Sequence, residues 1–177
     1  MKFPVLHTER LILREMQQKD KEHFINFMTN QSCTQYLMFN EEQKTHKGAR
    51  RLFDYILNSY LSNEPVLALA VALREKDEMI GLVGASPIET PGIYECYYTL
   101  FPEMTGHGYA TEATRRLFQF LFQNRNATET RAYMYPENKA SRRVAERLAM
   151  ENKGIQKHPV FQSNQLLYVC YPDKVTG

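Results

Sequence analysis

The stretch from Tyr94 to Ala113 constrains the fold more than any other. Residues 94–101 are rich in aromatic and β-branched side chains and read as a strand. The chain then passes Pro102 and enters Gly106-His107-Gly108. A helix over about 108–123 follows at once, with Ala110, Ala113, Leu117, Phe120 and Leu121 on its buried face. A second strand over about 130–135 closes the unit. Strand, glycine loop, helix and strand in direct succession, among mixed helices and strands, suggest a two-sided α/β sheet.

The remaining elements extend that sheet. Leu11-Ile12-Leu13 is a short apolar strand. A helix begins near Asp20, with Phe24, Phe27 and Met28 on one face, and residues 29–44 are polar and irregular. A second helix over about 46–60 carries Ala49, Leu52, Phe53, Ile56, Leu57 and Tyr60 as one stripe. Residues 66–73 form a continuous apolar run, as a buried strand does, and a polar turn at 75–78 returns the chain through 79–83. After the central unit, a helix over about 139–150 buries Val144 and Leu148, and Gly154 marks its end. Two short strands, about 154–161 and 165–171, complete the chain. The predicted order is β-α-α-β-β-β-α-β-α-β-β.

Composition removes several function classes. With 177 residues, at roughly 100–200 per domain, the chain makes one domain over residues 1–177. The 22 basic and 20 acidic residues leave a net charge of +2, too balanced for binding nucleic acid by charge, and no nucleic-acid partner is expected. The apolar run at 66–73 is far short of the roughly 18 residues that span a bilayer. Met1-Lys2-Phe3-Pro4 has charge and proline where a secretory leader needs apolar residues, so a cytoplasmic location and no membrane partner are expected. Cys33, Cys96 and Cys170 are far apart and odd in number, which reads as free thiols. The five histidines form no paired ligand motif, and no metal site is expected.

The central loop carries the chemistry. Glycines let a backbone approach a ligand closely. The first N–H groups of a helix lack internal partners, and the helix dipole adds partial positive charge. Gly106-His107-Gly108 at a helix start therefore offers an anion site, suited to a phosphate or diphosphate. The P-loop pattern is absent, and the dinucleotide fingerprint is incomplete because Thr111 stands where its third glycine belongs. A tight strand–helix turn without a ligand is the alternative on this evidence.

Four motifs in register add to it. Gly106-His107-Gly108-Tyr109-Ala110-Thr111-Glu112-Ala113 resembles motif A of the GNAT acetyltransferase superfamily, [Q/R]-x-x-G-x-[G/A]. It is especially similar to the branch of ribosomal-protein N-terminal acetyltransferases (RimJ/RimL-like). Asn138-Lys139-Ala140-Ser141-Arg142-Arg143-Val144 resembles that branch's N-x-x-S-x-[KR]-V. Thr8-Glu9-Arg10-Leu11-Ile12-Leu13-Arg14 is similar to its T-x-R-L-x-L-R opening, and Met79-Ile80-Gly81-Leu82-Val83-Gly84 to its I-G-x-x-G strand. The resemblance runs over about residues 6–170.

It implies a three-layer GNAT-like fold: a mostly antiparallel, seven-stranded mixed sheet, splayed at its middle strands and flanked by four helices. Acetyl-CoA, the cosubstrate, would lie in the splay. Thr105, Gly106, His107, Gly108, Tyr109 and Ala110 would cradle its diphosphate, with Leu100 and Phe101 along the pantetheine arm and Asn138 and Ser141 at the thioester. The implied reaction is acetyl transfer to an amine, either a peptide N-terminus or a small molecule. Three groups are its candidates: Glu95 as general base, the Leu100 backbone N–H on the thioester carbonyl, and Ser141 at the departing thiolate. Each has a plainer alternative. Glu95 reads equally as a solvated carboxylate, Asn138 and Ser141 as helix-start residues, and Tyr97 and Tyr98 as packing or as a tunnel wall. Arg115, Arg116, Arg142, Arg143 and Arg147 flank the proposed site and either reach the CoA 3′-phosphate or form a solvated face.

The chain departs from the pattern at several positions. Glu103 replaces Gln or Arg, Tyr97 a glycine, Thr99 a tryptophan, and Ala145 stands where many members have tyrosine. Met150-Glu151 replaces G-F, and after Glu151 the only carboxylate is Asp173. A non-catalytic acyl-CoA-binding module is therefore the second reading, and a nucleotide-binding α/β domain the third. A homodimer through the tail strands is a further expectation.

Overall fold

The computed structural model describes residues 3–88 and 90–175. Its eight strands are β1 (Leu6–His7), β2 (Leu11–Glu15), β3 (Leu67–Leu73), β4 (Glu78–Pro87), β5 (Ile93–Leu100), β6 (Glu129–Met134), β7 (Glu151–Lys157) and β8 (Asn164–Cys170). They form one sheet in the order β1-β2-β3-β4-β5-β6-β8-β7. All neighbours are antiparallel except β5 and β6. The helices are α1 (Lys21–Thr29), α2 (Gln31–Thr34), α3 (His46–Ser59), α4 (Tyr109–Asn124) and α5 (Lys139–Arg147). The described residues thus hold one strand more than the seven expected and one helix more than the four. The added strand, β1, is two residues that hydrogen-bond back onto β2. The added helix, α2, is a single turn capped by Asn30, whose side chain accepts from the Ser32 N–H. Neither is long enough to show periodicity in the sequence.

The core follows the predicted stripes. Ala49, Phe53, Ile56 and Tyr60 of the α3 stripe are buried, and Phe53 packs on Phe24 of α1 with ring centroids 5.5 Å apart. In β3, six consecutive residues are buried, so both faces of the sheet are covered there. Arg14 and Asp20 are buried as a bidentate pair at 2.6 and 3.0 Å, which ties β2 to the start of α1. Arg14 also donates from Nε to Asp77 at 2.6 Å, in the turn between β3 and β4.

Two boundaries differ from expectation for a backbone reason. The last helix ends at Arg147, and Ala149, at φ 54°, takes the left-handed turn that terminates it. Gly154, at φ 76°, lies instead inside β7, where the register with β8 shifts between Asn152 and Ile155. It marks a bulge, not a helix end. β7 therefore begins three residues before the predicted 154 and stops at Lys157.

The sheet opens in its middle. β5 pairs with β6 only at Ile93, Glu95 and the residue between, opposite Glu129, Thr130 and Arg131. Beyond Glu95, β5 stays with β4 through Leu100, while β6 runs to Met134 without it. Gly84 explains part of this allegiance. A Cβ there would sit 2.2 Å from the Tyr97 hydroxyl oxygen and 2.3 Å from the Leu67 carbonyl oxygen, so only glycine lets the Tyr97 ring lie across β4. The Tyr97 hydroxyl then donates to the Leu67 carbonyl at 3.2 Å.

Candidate active site

The gap between β5 and β6 opens into a cavity of about 900 Å³. Its floor is set by strand alternation. The Phe101 N–H donates to the Ile80 carbonyl of β4 at 2.9 Å. The neighbouring Leu100 N–H therefore points the other way, away from β4 and into the gap.

At one end stands the glycine loop. Gly106 and Gly108 have φ of 84° and 82°, and Gly108 is the N-cap of α4. Among the described residues, no acceptor takes the backbone N–H groups from Gly106 through Thr111. Six donors in one turn and a helix start, with the helix dipole behind them, fit a diphosphate. The loop is braced from behind. Arg10 donates to the His107 carbonyl at 3.0 Å, and its guanidinium pairs with Glu112 at 2.6 Å while lying over the Tyr109 ring at 4.7 Å. Glu112 also accepts from the Thr8 hydroxyl at 2.6 Å and from the Arg10 N–H at 3.0 Å. Burial opposes the ionisation of Glu112, but the bonds from Thr8 and Arg10 outweigh it and hold the carboxyl below its ordinary range. Thr8, Arg10 and Glu112 were visible in the sequence only as motif letters. Their joint task, fixing the loop through Thr8 and Arg10 from nearly a hundred residues away, appears only in the fold.

Glu103, a departure in the loop, is exposed, and its charge is felt by Cys33 on α2. Thr105 is exposed and its hydroxyl closes the turn onto the Pro102 carbonyl at 2.7 Å. Of the expected residues, Glu95, Leu100, Thr105, Gly106, Gly108, Tyr109, Ala110, Asn138 and Ser141 line the cavity. Phe101 and His107 do not. Phe101 packs edge-on against Phe27 of α1 at 5.7 Å, and the exposed His107 ring stacks near Tyr109. A second cavity of about 490 Å³ adjoins the loop, lined by Arg115, Arg116 and Arg147 together with Thr8 and Thr111. Arg142 does not reach either cavity, and Arg143 lines only the larger one.

Asn138 caps α5, its side chain accepting the Ser141 N–H at 3.0 Å. Ser141 in turn meets Tyr98. The Tyr98 hydroxyl donates to the Ser141 carbonyl at 3.0 Å and lies 2.9 Å from Ser141 Oγ. With its one proton on the carbonyl, Tyr98 accepts from Ser141 Oγ. Burial, partly offset by the Ser141 bond, pushes the Tyr98 phenol up to about 12, so it stays protonated. Ala145, where many relatives carry tyrosine, is fully buried, and the hydroxyl from β5 stands beside Ser141 instead.

Glu95 stands at the far end of the gap, where β5 and β6 part. Its Oε1 is 2.9 Å from Nε2 of His158. His158 is 1% exposed, and its Nδ1 accepts from the N–H groups of Val160 and Phe161 at 3.1 and 3.2 Å. Two donors on Nδ1 leave the ring proton on Nε2, donated to Glu95. Sequence reading missed His158 because 63 residues separate it from Glu95 and no spacing joins them. Among the described residues, no cluster of three or more His, Cys, Asp or Glu could hold a metal ion, and no helix is long and apolar enough to cross a membrane.

A model of the acetyltransferase (GNAT) domain matches residues 10–151. The chain belongs to the GNAT acetyltransferase family. It is an acetyl-CoA-dependent acetyltransferase, and the match covers the loop, both strands of the gap and every motif except Thr8 and Glu9 of the opening one. It is similar to the uncharacterized N-acetyltransferase p20 of Bacillus licheniformis, 27% identical over 151 residues, covering 85% of this chain and 84% of that one. The GNAT fold recurs in a solved acetyltransferase from Bacillus anthracis, with a TM-score of 0.79, 20% identity and coverage of 95% and 98%. It recurs also in RimL, a ribosomal L7/L12 alpha-N-protein acetyltransferase in complex with coenzyme A, with a TM-score of 0.77, 16% identity and coverage of 97% and 99%.

Proposed function

We propose that this GNAT enzyme moves the acetyl group of acetyl-CoA directly to a primary amine. The observation that carries the reading is the cavity itself, which joins the orphan amides of the glycine loop to the Glu95 carboxylate through the opening between β5 and β6. Acetyl-CoA supplies a thioester carbonyl carbon open to attack. Gly106, Gly108, Tyr109 and Ala110 hold the diphosphate through backbone N–H groups. The Leu100 N–H polarises the carbonyl oxygen. Glu95 takes a proton from the ammonium, freeing the nitrogen lone pair. The nitrogen–carbon bond forms, the carbon–sulfur bond breaks, and the sulfur leaves with the electron pair. Ser141 turns its hydroxyl from Tyr98 to that sulfur, while the Tyr98 proton stays on the Ser141 carbonyl. The products are an amide and CoA, and the second amine proton ends on the thiolate or in water. Holding the two reactants in line contributes several kcal/mol by itself.

Glu95→Gln tests the reading. It keeps an acceptor for His158 but removes the base. The kcat is expected to fall by about 100-fold or more, with the acetyl-CoA Kd unchanged within about twofold because the loop is untouched. An unchanged kcat removes Glu95 as the base. Absence of turnover at every acceptor, with acetyl-CoA binding intact in the wild type, favours the non-catalytic acyl-CoA-binding module that Tyr97 and the tail departures would suit.

A further inference from the structure

The acceptor half of the cavity has a chemistry of its own. We infer that the amine it takes is small, built on an apolar or aromatic body, and free of carboxylate or phosphate; this rests on the acetyl-transfer reading above. Among the described lining residues, Glu95 is the single carboxylate. The two guanidinium groups, Arg143 and Arg147, are both on α5, the helix that also brings Ser141 to the cavity. Away from α5 and the glycine loop, the described lining carries no cationic side chain: it is apolar at Phe24, Phe39, Leu52 and Phe161, among others, and its polar groups, such as Gln35 and Ser86, are neutral. An ammonium entering this half meets one opposite charge. A carboxylate carried beside that ammonium meets no cation away from α5, and a desolvated anion without a charged partner is costly.

His158 does not change that balance. Its Nδ1 accepts two backbone N–H groups and its Nε2 proton goes to Glu95, so the ring has nothing to offer an anion. The rings that flank it favour a cation. Tyr133 and Phe161 each lie 4.7 Å from the His158 ring, next to Glu95, and their faces attract an ammonium.

Size is set at the rim. The Tyr135 hydroxyl donates to Sδ of Met38 at 3.5 Å, and the Tyr36 ring lies 6.4 Å from that of Tyr135. These contacts tie the segment after α2 to the residue that follows β6, and Tyr36 and Met38 of that segment line the cavity. The tie holds this wall in place against an acceptor bulkier than a small amine.

The test compares kcat/KM at saturating acetyl-CoA for phenethylamine, L-phenylalanine, L-phenylalanine amide, spermidine and a hexapeptide beginning with phenylalanine. Phenethylamine is expected to exceed L-phenylalanine by about 100-fold or more, because only the carboxylate differs. The amide, which lacks that charge, is expected within about tenfold of phenethylamine, and the hexapeptide and spermidine at least about tenfold below it. Phe161→Ala is expected to raise the phenethylamine KM several-fold and to leave the acetyl-CoA Kd unchanged. L-Phenylalanine within about threefold of phenethylamine, or the hexapeptide or spermidine as the best substrate, overturns the inference. Acetyl-CoA that raises the Tm while phenethylamine neither binds nor reacts also overturns it. Acetyl-CoA that leaves the Tm unmoved overturns instead the reading on which it rests.

Discussion

Replacing Glu112 by alanine removes the brace behind the glycine loop. The carboxylate makes four bonds: from the Thr8 hydroxyl, the Arg10 N–H, and Nε and Nη2 of Arg10, at 2.6, 3.0, 2.8 and 2.6 Å. Hydrogen bonds to charged groups contribute about 1.5–3 kcal/mol each when buried. The Arg10 side chain is 44% exposed and the Glu112 side chain 18%, so water screens the ion pair and solvates the freed donors. A net loss of about 2 kcal/mol follows for the set, since the four bonds share one acceptor group and do not add. For a chain of this length that lowers Tm by roughly 4–8 °C. The loss depends on pH. The folded Glu112 carboxyl lies below its unfolded value, so its stabilisation is complete above the unfolded carboxyl range and disappears as pH falls through the folded one. Thermal unfolding of wild type and variant at neutral pH and near pH 3 measures both. The Tm gap is expected to shrink at the acid end, and the acetyl-CoA Kd at neutral pH to rise as His107 loses its anchor. A Tm within about 1 °C of wild type at neutral pH, or an equal gap at both pH values, refutes the brace.

Three further outcomes follow from the loop, the buried ion pair and the buried thiols. Gly108→Val places a β-branched side chain at φ 82° beside Arg10, and is expected to abolish acetyl-CoA binding by calorimetry while secondary structure by circular dichroism persists. Asp20→Asn leaves the buried Arg14 with one acidic partner, Asp77, instead of two, and is expected to cost about 3–5 kcal/mol in urea unfolding. Burial pushes the thiols of Cys33 and Cys170 up to about 11 and holds that of Cys96 well above its ordinary value. At pH 8 only about 0.1% of such a thiol is thiolate, against about a quarter of a free cysteine, so native-state labelling by a disulfide reagent is expected to be about 100-fold slower than for the unfolded chain.

The order of elements and the location of the loop were legible because they rest on local rules. The α3 stripe, the apolar run of β3 and Gly106-His107-Gly108 each act over one element, and period and backbone freedom leave marks in adjacent residues. The motifs put Asn138 and Ser141 at one helix start, and the fold keeps them there. Gly154 misled because a glycine past a helix and a glycine in a bulge look alike until the partner strand is known. The β1 strand and the α2 turn left no mark because two to four residues carry no period.

What the sequence alone determined is therefore the longer helices and strands, the place of the glycine loop and the family. The tertiary structure decided which distant groups meet. It brought His158 to Glu95, Tyr98 to Ser141, and Thr8 and Arg10 to Glu112. It also set the length of the β5–β6 ladder, and with it the opening of the sheet. Each of those contacts joins residues more than forty positions apart. Such pairs form only when strand order and register fold the chain back on itself, and neither order nor register is encoded in the spacing along one strand.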